Sequence, residues 1–478
     1  MEHSYQESLF RPLPSVEELR DALASSESNE TRILLDNLFD EDTFVELGVY
    51  AKRSFCEYAQ TSRTNEFEGL ICGYGAISGV LVYVFAQDFS RMKGAVDETH
   101  AKKICEVYRL AMQNGAPVIG VFNSAGADVY EGVSAMAAYG RMMKSAAKAS
   151  GVIPQIALIT GKCIGTSAAF AAMFDFAVVL ENAEFYVVPP AYGDGGEDES
   201  ALCAVRAADI GSAVSSVRKL LYYLPSAAGD GAKVEQPSDD MGRLLGELDF
   251  RHDARTLLSA VADNGIWTEV FANHSFELTT AFTTIGGVNC GVLALCSASG
   301  GRLSATAARK AARFVSFLDA FSIPLVTFLD SDGFSEDSTG QGVPIAAELA
   351  RLATAYALSD MPKITVILGK AIGGVFTLLG SKAMGADLAY AIETAEIGAL
   401  SHKAAVAFAW NDRINEDVSR NSLEENWLRS MSSPVAAAST GEIDDIINMD
   451  ELRKRLCSGL LMLTCRADAR KKHAVMPL

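Results

Sequence analysis

Short apolar segments alternate with amphipathic patterns along most of this 478-residue chain. An apolar run of roughly four to eight residues predicts a buried strand, whereas apolar residues three or four positions apart predict a helix. The predicted strands are 80–85, 118–122 and 156–159, then 292–295, 325–329 and 365–368, and the predicted helices include 98–112 and 305–321. Strands and helices in alternation indicate an α/β fold built from βαβ units with parallel strands.

The two halves of the chain repeat each other. Residues 153–165 align with 361–373 at a separation of 208 residues, and 117–126 align with 324–333 at a separation of 207. A nearly fixed separation over a long stretch indicates internal duplication. Between the halves, residues 226–242 are polar and rich in Gly, Pro and Asp, which is typical of a linker. We therefore predict a boundary near residue 237, with a helical leader over 1–65, an N-terminal domain over 66–236 and a C-terminal domain over 237–478.

In each half, an apolar strand leads into a glycine-containing turn and then into a helix. The turns are 161–168 (GKCIGTSA) and 369–376 (GKAIGGVF). The first N–H groups of a helix have no partner within the helix, and they point towards any group beyond its N-terminus. Two such turns predict two sites that stabilise an anion through backbone N–H groups, as oxyanion holes do. Alternatively, the glycines only allow tight packing of the strand against the helix.

Charge and the positions of cysteine and histidine narrow the class of partner. The chain has 60 Asp and Glu against 41 Lys and Arg, so its net charge of −19 repels nucleic acid. The nine cysteines contain no CxxC pair and the six histidines form no ligand motif, so we expect neither disulfides nor a metal. Ser124 lies outside any GxSxG motif, which disfavours a nucleophilic hydrolase. The N-terminus lacks the apolar core of a signal peptide, so we expect a cytoplasmic protein.

A set of short motifs in both halves is shared with one enzyme family. In the first half they are 35–39 (LDNLF), 44–48 (FVELG), 86–89 (AQDF), 124–127 (SAGA), 153–156 (IPQI) and 161–165 (GKCIG). In the second half they are 308–314 (ARKAARF), 323–326 (IPLV), 333–334 (GF), 395–397 (AEI), 441–447 (GEIDDII) and 471–478 (KKHAVMPL). Over about residues 32–187 and 247–478, the chain resembles the beta-type carboxyltransferase subunit of biotin-dependent acyl-CoA carboxylases and related decarboxylases.

This resemblance implies a fold and a division of labour between the halves. It implies two tandem crotonase-like domains (the ββα superhelix), with an acyl-CoA on the N-terminal domain and carboxybiotin on the C-terminal domain of a neighbouring subunit. Carboxyl transfer then produces a thioester enolate at one site and a biotin ureido anion at the other. The resemblance places the thioester oxyanion hole at Gly165 and Thr166, the biotin hole at Gly373, Gly374 and Val375, and further substrate contacts at Ala125, Gly126, Ala127 and Thr377.

The resemblance also implies partners. These are a biotin carboxyl carrier protein, a biotin carboxylase or membrane decarboxylase subunits, and further copies of the chain in a homo-oligomer, either a dimer or a trimer of dimers (a hexamer). A hetero-oligomer with a paralogue is the alternative assembly. The direction, carboxylation or decarboxylation, stays open.

The chain departs from the family pattern at several positions, and two other functions remain in view. Thr166 stands where the family has glycine, and Asp128 stands where it has a cation. The stretch 191–209, the region around Gln341 and the pair Ile392 and Glu393 also depart from the pattern. These departures favour, as an alternative, a non-catalytic paralogue that is a structural subunit of a carboxylase or decarboxylase complex. A third possibility is a biotin-independent crotonase-type enzyme that acts on CoA esters.

Overall fold

The computed structural model describes residues 15–18, 30–52, 69–188, 201–246, 253–299, 301–335 and 344–465. Within these ranges, the strands form two eight-stranded sheets and one two-stranded ribbon. The predicted leader is described only over 15–18 and 30–52, where residues 30–38 are helical, and the motif 471–478 lies outside the described residues.

The first sheet contains strands from the first half of the chain. Its strands run in the order β1-β2-β3-β4-β5-β6-β8, with β7 beside the end of β5. The strands from β3 onwards are parallel, whereas β1, β2 and β3 pair antiparallel. The strands are β1 (Val45–Leu47), β2 (Leu70–Ile77), β3 (Val80–Gln87), β4 (Val118–Ser124), β5 (Gln155–Ile164), β6 (Phe176–Leu180), β7 (Glu184–Tyr186) and β8 (Cys203–Ala207). The helices are α1 (Glu30–Leu38), α2 (Glu98–Asn114), α3 (Val133–Ala149), α4 (Thr166–Ala171) and α5 (Ile210–Tyr223).

The second sheet repeats this order with strands from the second half. Its order is β9-β10-β11-β13-β15-β16-β18, with β17 beside β15, and β12 pairs with β14 in the ribbon. The strands are β9 (Trp267–Val270), β10 (Leu278–Ile285), β11 (Val288–Leu295), β12 (Arg302–Leu303), β13 (Leu325–Ser331), β14 (Gly333–Phe334), β15 (Lys363–Ile372), β16 (Leu388–Ile392), β17 (Glu396–Gly398) and β18 (Asp445–Ile447). The helices are α6 (Ala254–Val261), α7 (Ala305–Ala320), α8 (Ile345–Leu358), α9 (Gly374–Leu378), α10 (His402–Ala409), α11 (Arg420–Met431), α12 (Pro434–Ser439) and α13 (Met449–Thr464).

The duplication extends to a local irregularity in the ladder. The register of β4 on β5 shifts between Phe122 and Ser124, and the register of β13 on β15 shifts between Leu329 and Ser331. These positions are 207 residues apart, which is the separation found in the sequence. The predicted α/β fold with two related halves is thus confirmed. The boundary near residue 237 stays a prediction; just before it, Glu235 N donates to Gly287 O of the second half.

Local signals in the sequence explain where helices begin and end. In α2, the side chain of Asp97 accepts a hydrogen bond from His100 N, and the helix ends at Gly115 in the left-handed conformation with φ of 58°. Asp is a favoured N-cap because its carboxylate pairs with an N–H that has no helical acceptor, and Gly adopts positive φ without strain. The helix therefore continues two residues beyond the predicted range 98–112, to Asn114.

Aromatic side chains join the two halves. The ring of Phe176 in β6 lies 4.7 Å from that of Phe317 and 5.6 Å from that of Phe282, both in the second half. Arg313 Nη2 donates to Phe174 O and Asp175 O at 3.1 Å each. One hydrophobic cluster consequently contains buried residues of both halves, and each half also has a cluster of its own. Among the described residues, no helix is long and apolar enough to cross a membrane.

Candidate functional site

The first glycine turn follows β5 directly. Gly165 has φ of 60° and ψ of −127°, a conformation that residues with a Cβ rarely adopt. Its N–H donates to Tyr186 O on β7 at 3.0 Å, so β7 fixes the turn from one side. Thr166 then begins α4 with ordinary helical backbone, because its φ is not positive. A β-branched residue at this position is therefore accommodated without backbone strain.

The second turn repeats the first in detail. Gly373 has φ of 67° and ψ of −147°, and its N–H donates to Gly398 O on β17 at 2.8 Å. Gly374 then begins α9. In each half, the fifth strand of the eight-stranded sheet thus leads into a glycine with the same backbone conformation, held by the same kind of neighbouring strand.

Both turns leave backbone donors at the start of a helix. In the first half, Ala168 N donates to Gly165 O at 3.1 Å, which leaves the N–H groups of Thr166 and Ser167 without an acceptor inside the helix. In the second half, Phe376 N donates to Gly373 O at 3.2 Å, so the N–H groups of Gly374 and Val375 are in the same position. Pairs of adjacent N–H groups at a helix N-terminus favour a negatively charged group.

The two halves differ in side-chain size at the first helical residue. A Cβ on Gly374 would lie 2.8 Å from the ring of Phe334, so a larger residue would displace that ring. In the second half, Phe334 pairs with Leu303 in a parallel bridge. In the first half, Ala127 pairs with Val96 in the same way, so Ala127 is the counterpart of Phe334. A small residue there leaves room for Thr166. The small side chain of Ala127 therefore compensates for the larger residue, Thr166, that stands where the family has glycine.

The loop after β4 carries the predicted substrate contacts Ala125, Gly126 and Ala127. Ser124 pairs with Cys163 in the ladder, so this loop and the Gly165 turn leave the same edge of the sheet. Gly126 has φ of 109°, and its N–H donates to Ser124 Oγ at 3.0 Å. In the second half, Gly333 has φ of 128° and donates to Ser331 Oγ at 3.2 Å. The structure thus brings the two predicted segments of the first half together.

Thr377, the remaining predicted contact, lies on α9 two residues beyond Val375. Its side chain is exposed, and its carbonyl accepts a hydrogen bond from Ser381 Oγ at 3.0 Å. Val375, by contrast, is fully buried beneath the turn. Thr377 is therefore free to contact a molecule bound outside α9.

Comparison with known proteins settles the family. A family model described as the carboxyl transferase domain matches residues 27–192 and 198–476. The chain belongs to this carboxyl transferase family. The family that the sequence motifs indicated is thereby confirmed.

Relatives of known name cover nearly the whole chain. Methylmalonyl-CoA decarboxylase subunit alpha of Veillonella parvula is 33% identical, over 93% of this chain and 92% of its own length. Propionyl-CoA carboxylase beta chain of Roseobacter denitrificans is 31% identical, with coverage of 93% and 92%. A crystal structure of transcarboxylase 12S, a hexamer with methylmalonyl-coenzyme A and methylmalonic acid bound, has a TM-score of 0.86 at 30% identity, covering 96% of this chain and 95% of that chain.

Polar residues beside each turn were not among the predicted site residues. Asn123 Oδ1 accepts from Lys162 N at 3.1 Å, and Asp330 Oδ1 accepts from Lys370 N at 2.8 Å. The ammonium of Lys370 also lies 2.8 Å from Asp332, and this hydrogen bond raises the pKa of Lys370. Asn123 and Asp330 are 207 residues apart, so the repeat itself was a signal for them.

One acid and one histidine pack beside the second turn. Glu396 Oε1 on β17 accepts from His402 N at 2.7 Å and from His402 Nδ1 at 2.9 Å. The carboxylate thus fixes the start of α10. Glu396 belongs to the motif 395–397, whereas none of the motifs contains His402.

The other departures from the family pattern lie in the loop after β4, at the end of β16, and in the regions of 191–209 and Gln341. Asp128 Oδ1 accepts from Tyr130 N at 3.0 Å, while Asp128 N donates to Val96 O at 2.8 Å. Asp128 therefore shapes the turn that follows Ala127. Ile392 ends β16, with Glu393 directly after it. Most of the altered stretch 191–209, up to residue 200, and Gln341 lie outside the described residues.

Proposed function

We propose that the chain is an acyl-CoA carboxyltransferase subunit that moves a carboxyl group between a CoA thioester and biotin on a separate carrier protein. The observation that carries this proposal is the repeated backbone geometry at Gly165 and Gly373, each followed by helical N–H groups without an acceptor in the helix. Two anion sites in one chain match a reaction that develops negative charge on two molecules.

The first turn would bind the acyl-CoA. Breaking the bond between the α-carbon and the carboxyl group leaves its electron pair on the thioester, and the charge develops on the thioester oxygen. The N–H of Thr166, which follows the Gly165 turn, would stabilise that oxygen, and Ala125, Gly126 and Ala127 would line the opposite side. Fixed backbone donors are effective because they need no reorganisation as the charge forms.

The second turn would bind biotin. Biotin, when bound, supplies or accepts the carboxyl group. The turn fits a small ring with an electron-rich oxygen, because Gly373 and Gly374 carry no side chain and the buried Val375 forms an uncharged floor. The N–H groups of Gly374 and Val375 would hold that oxygen. Thr377, exposed beside them, would contact the acyl chain and influence which acyl-CoA reacts.

Assembly would bring the two kinds of site together across a subunit contact. Exposed apolar residues lie next to the first site at 129–136 and next to the second on α10 and nearby helices. Groups of exposed apolar side chains are typical of protein interfaces. The most exposed members are Val129, Val133 and Met136 near the first site, and Phe408, Met431 and Val435 near the second. We propose a homo-oligomer, either a dimer or a trimer of dimers as in the transcarboxylase 12S hexamer, that works with a biotin carboxyl carrier protein.

The test is carboxyl transfer by the purified chain. Methylmalonyl-CoA labelled in its free carboxyl group is mixed with free biotin, and label on biotin and loss of methylmalonyl-CoA are measured. We expect transfer that needs both molecules. If no malonyl-type CoA ester that is tried loses its label to biotin, the result would contradict the proposal and favour the non-catalytic paralogue. Turnover of an enoyl-CoA without biotin would favour the crotonase-type alternative.

A further inference from the structure

One phenol lies between the two backbone segments of the first site. Tyr139 on α3 is buried, and its Oη lies 2.6 Å from Ser167 Oγ, which is also buried. Burial raises the pKa of Tyr139 to about 12, although hydrogen bonds with Ser167 and Ser124 oppose that rise. The phenol therefore stays protonated at neutral pH and can donate one hydrogen bond while it accepts another.

Its two partners belong to the two predicted segments. Ser167 is the second residue of α4, directly after Thr166. Ser124 precedes the Ala125–Ala127 loop, and its Oγ donates to Gly94 O at 2.7 Å and accepts from Gly126 N at 3.0 Å. The Tyr139 hydroxyl is hydrogen-bonded to Ser167 Oγ at 2.6 Å and also interacts with the Ser124 hydroxyl. The three hydroxyl groups thus form a chain from the turn to the loop.

The second half lacks this link although its turn has the same shape. Val375, a buried aliphatic residue, occupies the position of Ser167, while Ser331 keeps the role of Ser124 towards Gly333. The backbone conformation at Gly373 is nevertheless close to that at Gly165. Formation of the turn therefore does not require the hydroxyl chain.

We propose that Tyr139 is a positioning residue of the acyl-CoA site. Through Ser167 and Ser124 it fixes the separation between the N–H of Thr166 and the loop around Gly126, so that both segments meet one thioester oxygen. This inference rests on the proposed function. A small displacement of such groups lowers the rate of the chemical step more than it lowers binding, because the donors act on charge that forms in the transition state.

The experiment compares Tyr139→Phe with Tyr108→Phe. Tyr108 is an equally buried tyrosine on α2, and its Oη donates to Gln155 Oε1 at 2.8 Å at the opposite end of β5. Each variant loses one buried hydroxyl and keeps its ring, so the general cost to stability is matched. The carboxyl-transfer assay with methylmalonyl-CoA and free biotin gives kcat and KM for both variants, for Ser167→Ala and for the double variant Tyr139→Phe/Ser167→Ala.

We expect kcat of Tyr139→Phe to fall roughly tenfold or more, with KM for methylmalonyl-CoA changed less than about twofold and Tyr108→Phe close to wild type. Ser167→Ala should lose a similar factor, and the double variant should lose little more, because the two hydroxyl groups act as one unit. Equal kcat for Tyr139→Phe and Tyr108→Phe, or additive losses in the double variant, would overturn the inference.

A second readout separates this inference from the proposed function. If the wild-type chain transfers no carboxyl group, the proposed function fails, and amide hydrogen exchange over residues 161–170 decides the positioning role. Faster exchange there in Tyr139→Phe, but not in Tyr108→Phe, would support it. Unchanged exchange in both variants would overturn it.

Discussion

Arg453 Nη2 lies 2.7 Å from Asp263 Oδ1, and both side chains are buried. Asp263 also accepts the N–H groups of Gly286 and Gly287 at 2.9 and 2.8 Å, in the turn between β10 and β11. This arrangement, called here the hairpin clasp, pairs an arginine on the last helix of a half with an aspartate that accepts the N–H groups of a hairpin turn. It ties the end of the second half to its beginning.

The first half has the same clasp at its surface. Asp40 accepts the N–H groups of Ser78 and Gly79 at 3.1 and 2.8 Å, and Arg218 on α5 lies 3.2 Å away. The hydrogen bond from Gly79, followed by those from Ser78 and Arg218, lowers the pKa of Asp40 against a smaller opposing effect of burial. Both halves thus contain the clasp, but it is buried in the second half and lies near the surface in the first.

We predict that Arg453→Met destabilises the chain far more than Arg218→Met. Removing Arg453 leaves Asp263 as a buried charge without its cation, which costs about 3–5 kcal/mol. The pair in the first half, about a third exposed, contributes only about 0–1 kcal/mol. Thermal unfolding of the two variants, followed by scanning calorimetry, measures the difference. Equal shifts in the two midpoints would contradict this account of the clasp.

The contact between Gly374 and Phe334 predicts a compensating pair of substitutions. Gly374→Ala places a methyl group against the Phe334 ring and should lower the rate of carboxyl transfer by roughly tenfold, since the N–H groups of the second turn are displaced. Gly374→Ala/Phe334→Ala should recover most of that loss, because it reproduces the small partner that Ala127 provides to Thr166. Steady-state rates of the single and double variants test this. No recovery in the double variant would show that the ring is not the cause.

Asp175, at the junction between the halves, predicts that the free energy of unfolding depends on pH. Burial raises the pKa of Asp175 to about 7, and the hydrogen bond from Gln155 N and the charge of Arg313 only partly oppose this. Because the folded state then binds the proton more tightly than the unfolded chain, the stabilising contribution is complete below about pH 4 and is lost as the pH rises towards 7.

Melting temperatures of wild type and Asp175→Asn, measured from about pH 5 to about pH 8, test this dependence. The melting temperature of the wild type should decline more steeply over that interval, since asparagine does not titrate. The difference between the two curves isolates Asp175 from other titrating groups. Parallel curves would show that Asp175 does not titrate in this range.

The proposed assembly predicts that charges at the two apolar surfaces dissociate it. Val133, the first residue of α3, is 84% exposed, and Phe408, on α10, is 86% exposed. Val133→Glu and Phe408→Glu should each reduce the particle mass measured by light scattering and abolish carboxyl transfer. Phe276→Glu, at a residue that is 69% exposed before β10, is the matched control. Unchanged mass in both test variants would contradict an interface at these surfaces.

Much of the fold was predictable because local patterns and the repeat agree. Apolar runs located strands such as β4 and β13, and the glycines at 165 and 373 marked the positions that need positive φ. The contacts of Tyr139 with Ser167, or of Phe176 with Phe317, gave no local signal. They join elements whose sides face each other only after the sheets have formed. Arg453 and Asp263 are 190 residues apart, and no sequence pattern near either residue predicts that they pair.

The backbone N–H of Thr166 is the group on which the proposed chemistry most depends, and it can be removed by itself. Proline fits the first position of a helix and has no N–H, so Thr166→Pro deletes the donor, while Thr166→Ala keeps it and removes only the side chain. The decisive measurement is the rate of carboxyl transfer from methylmalonyl-CoA to biotin by these two variants and the wild type. We predict that Thr166→Pro loses about 100-fold to 1,000-fold in kcat, whereas Thr166→Ala stays within about tenfold of wild type. Equal rates for the two variants would contradict a backbone oxyanion hole at the first turn.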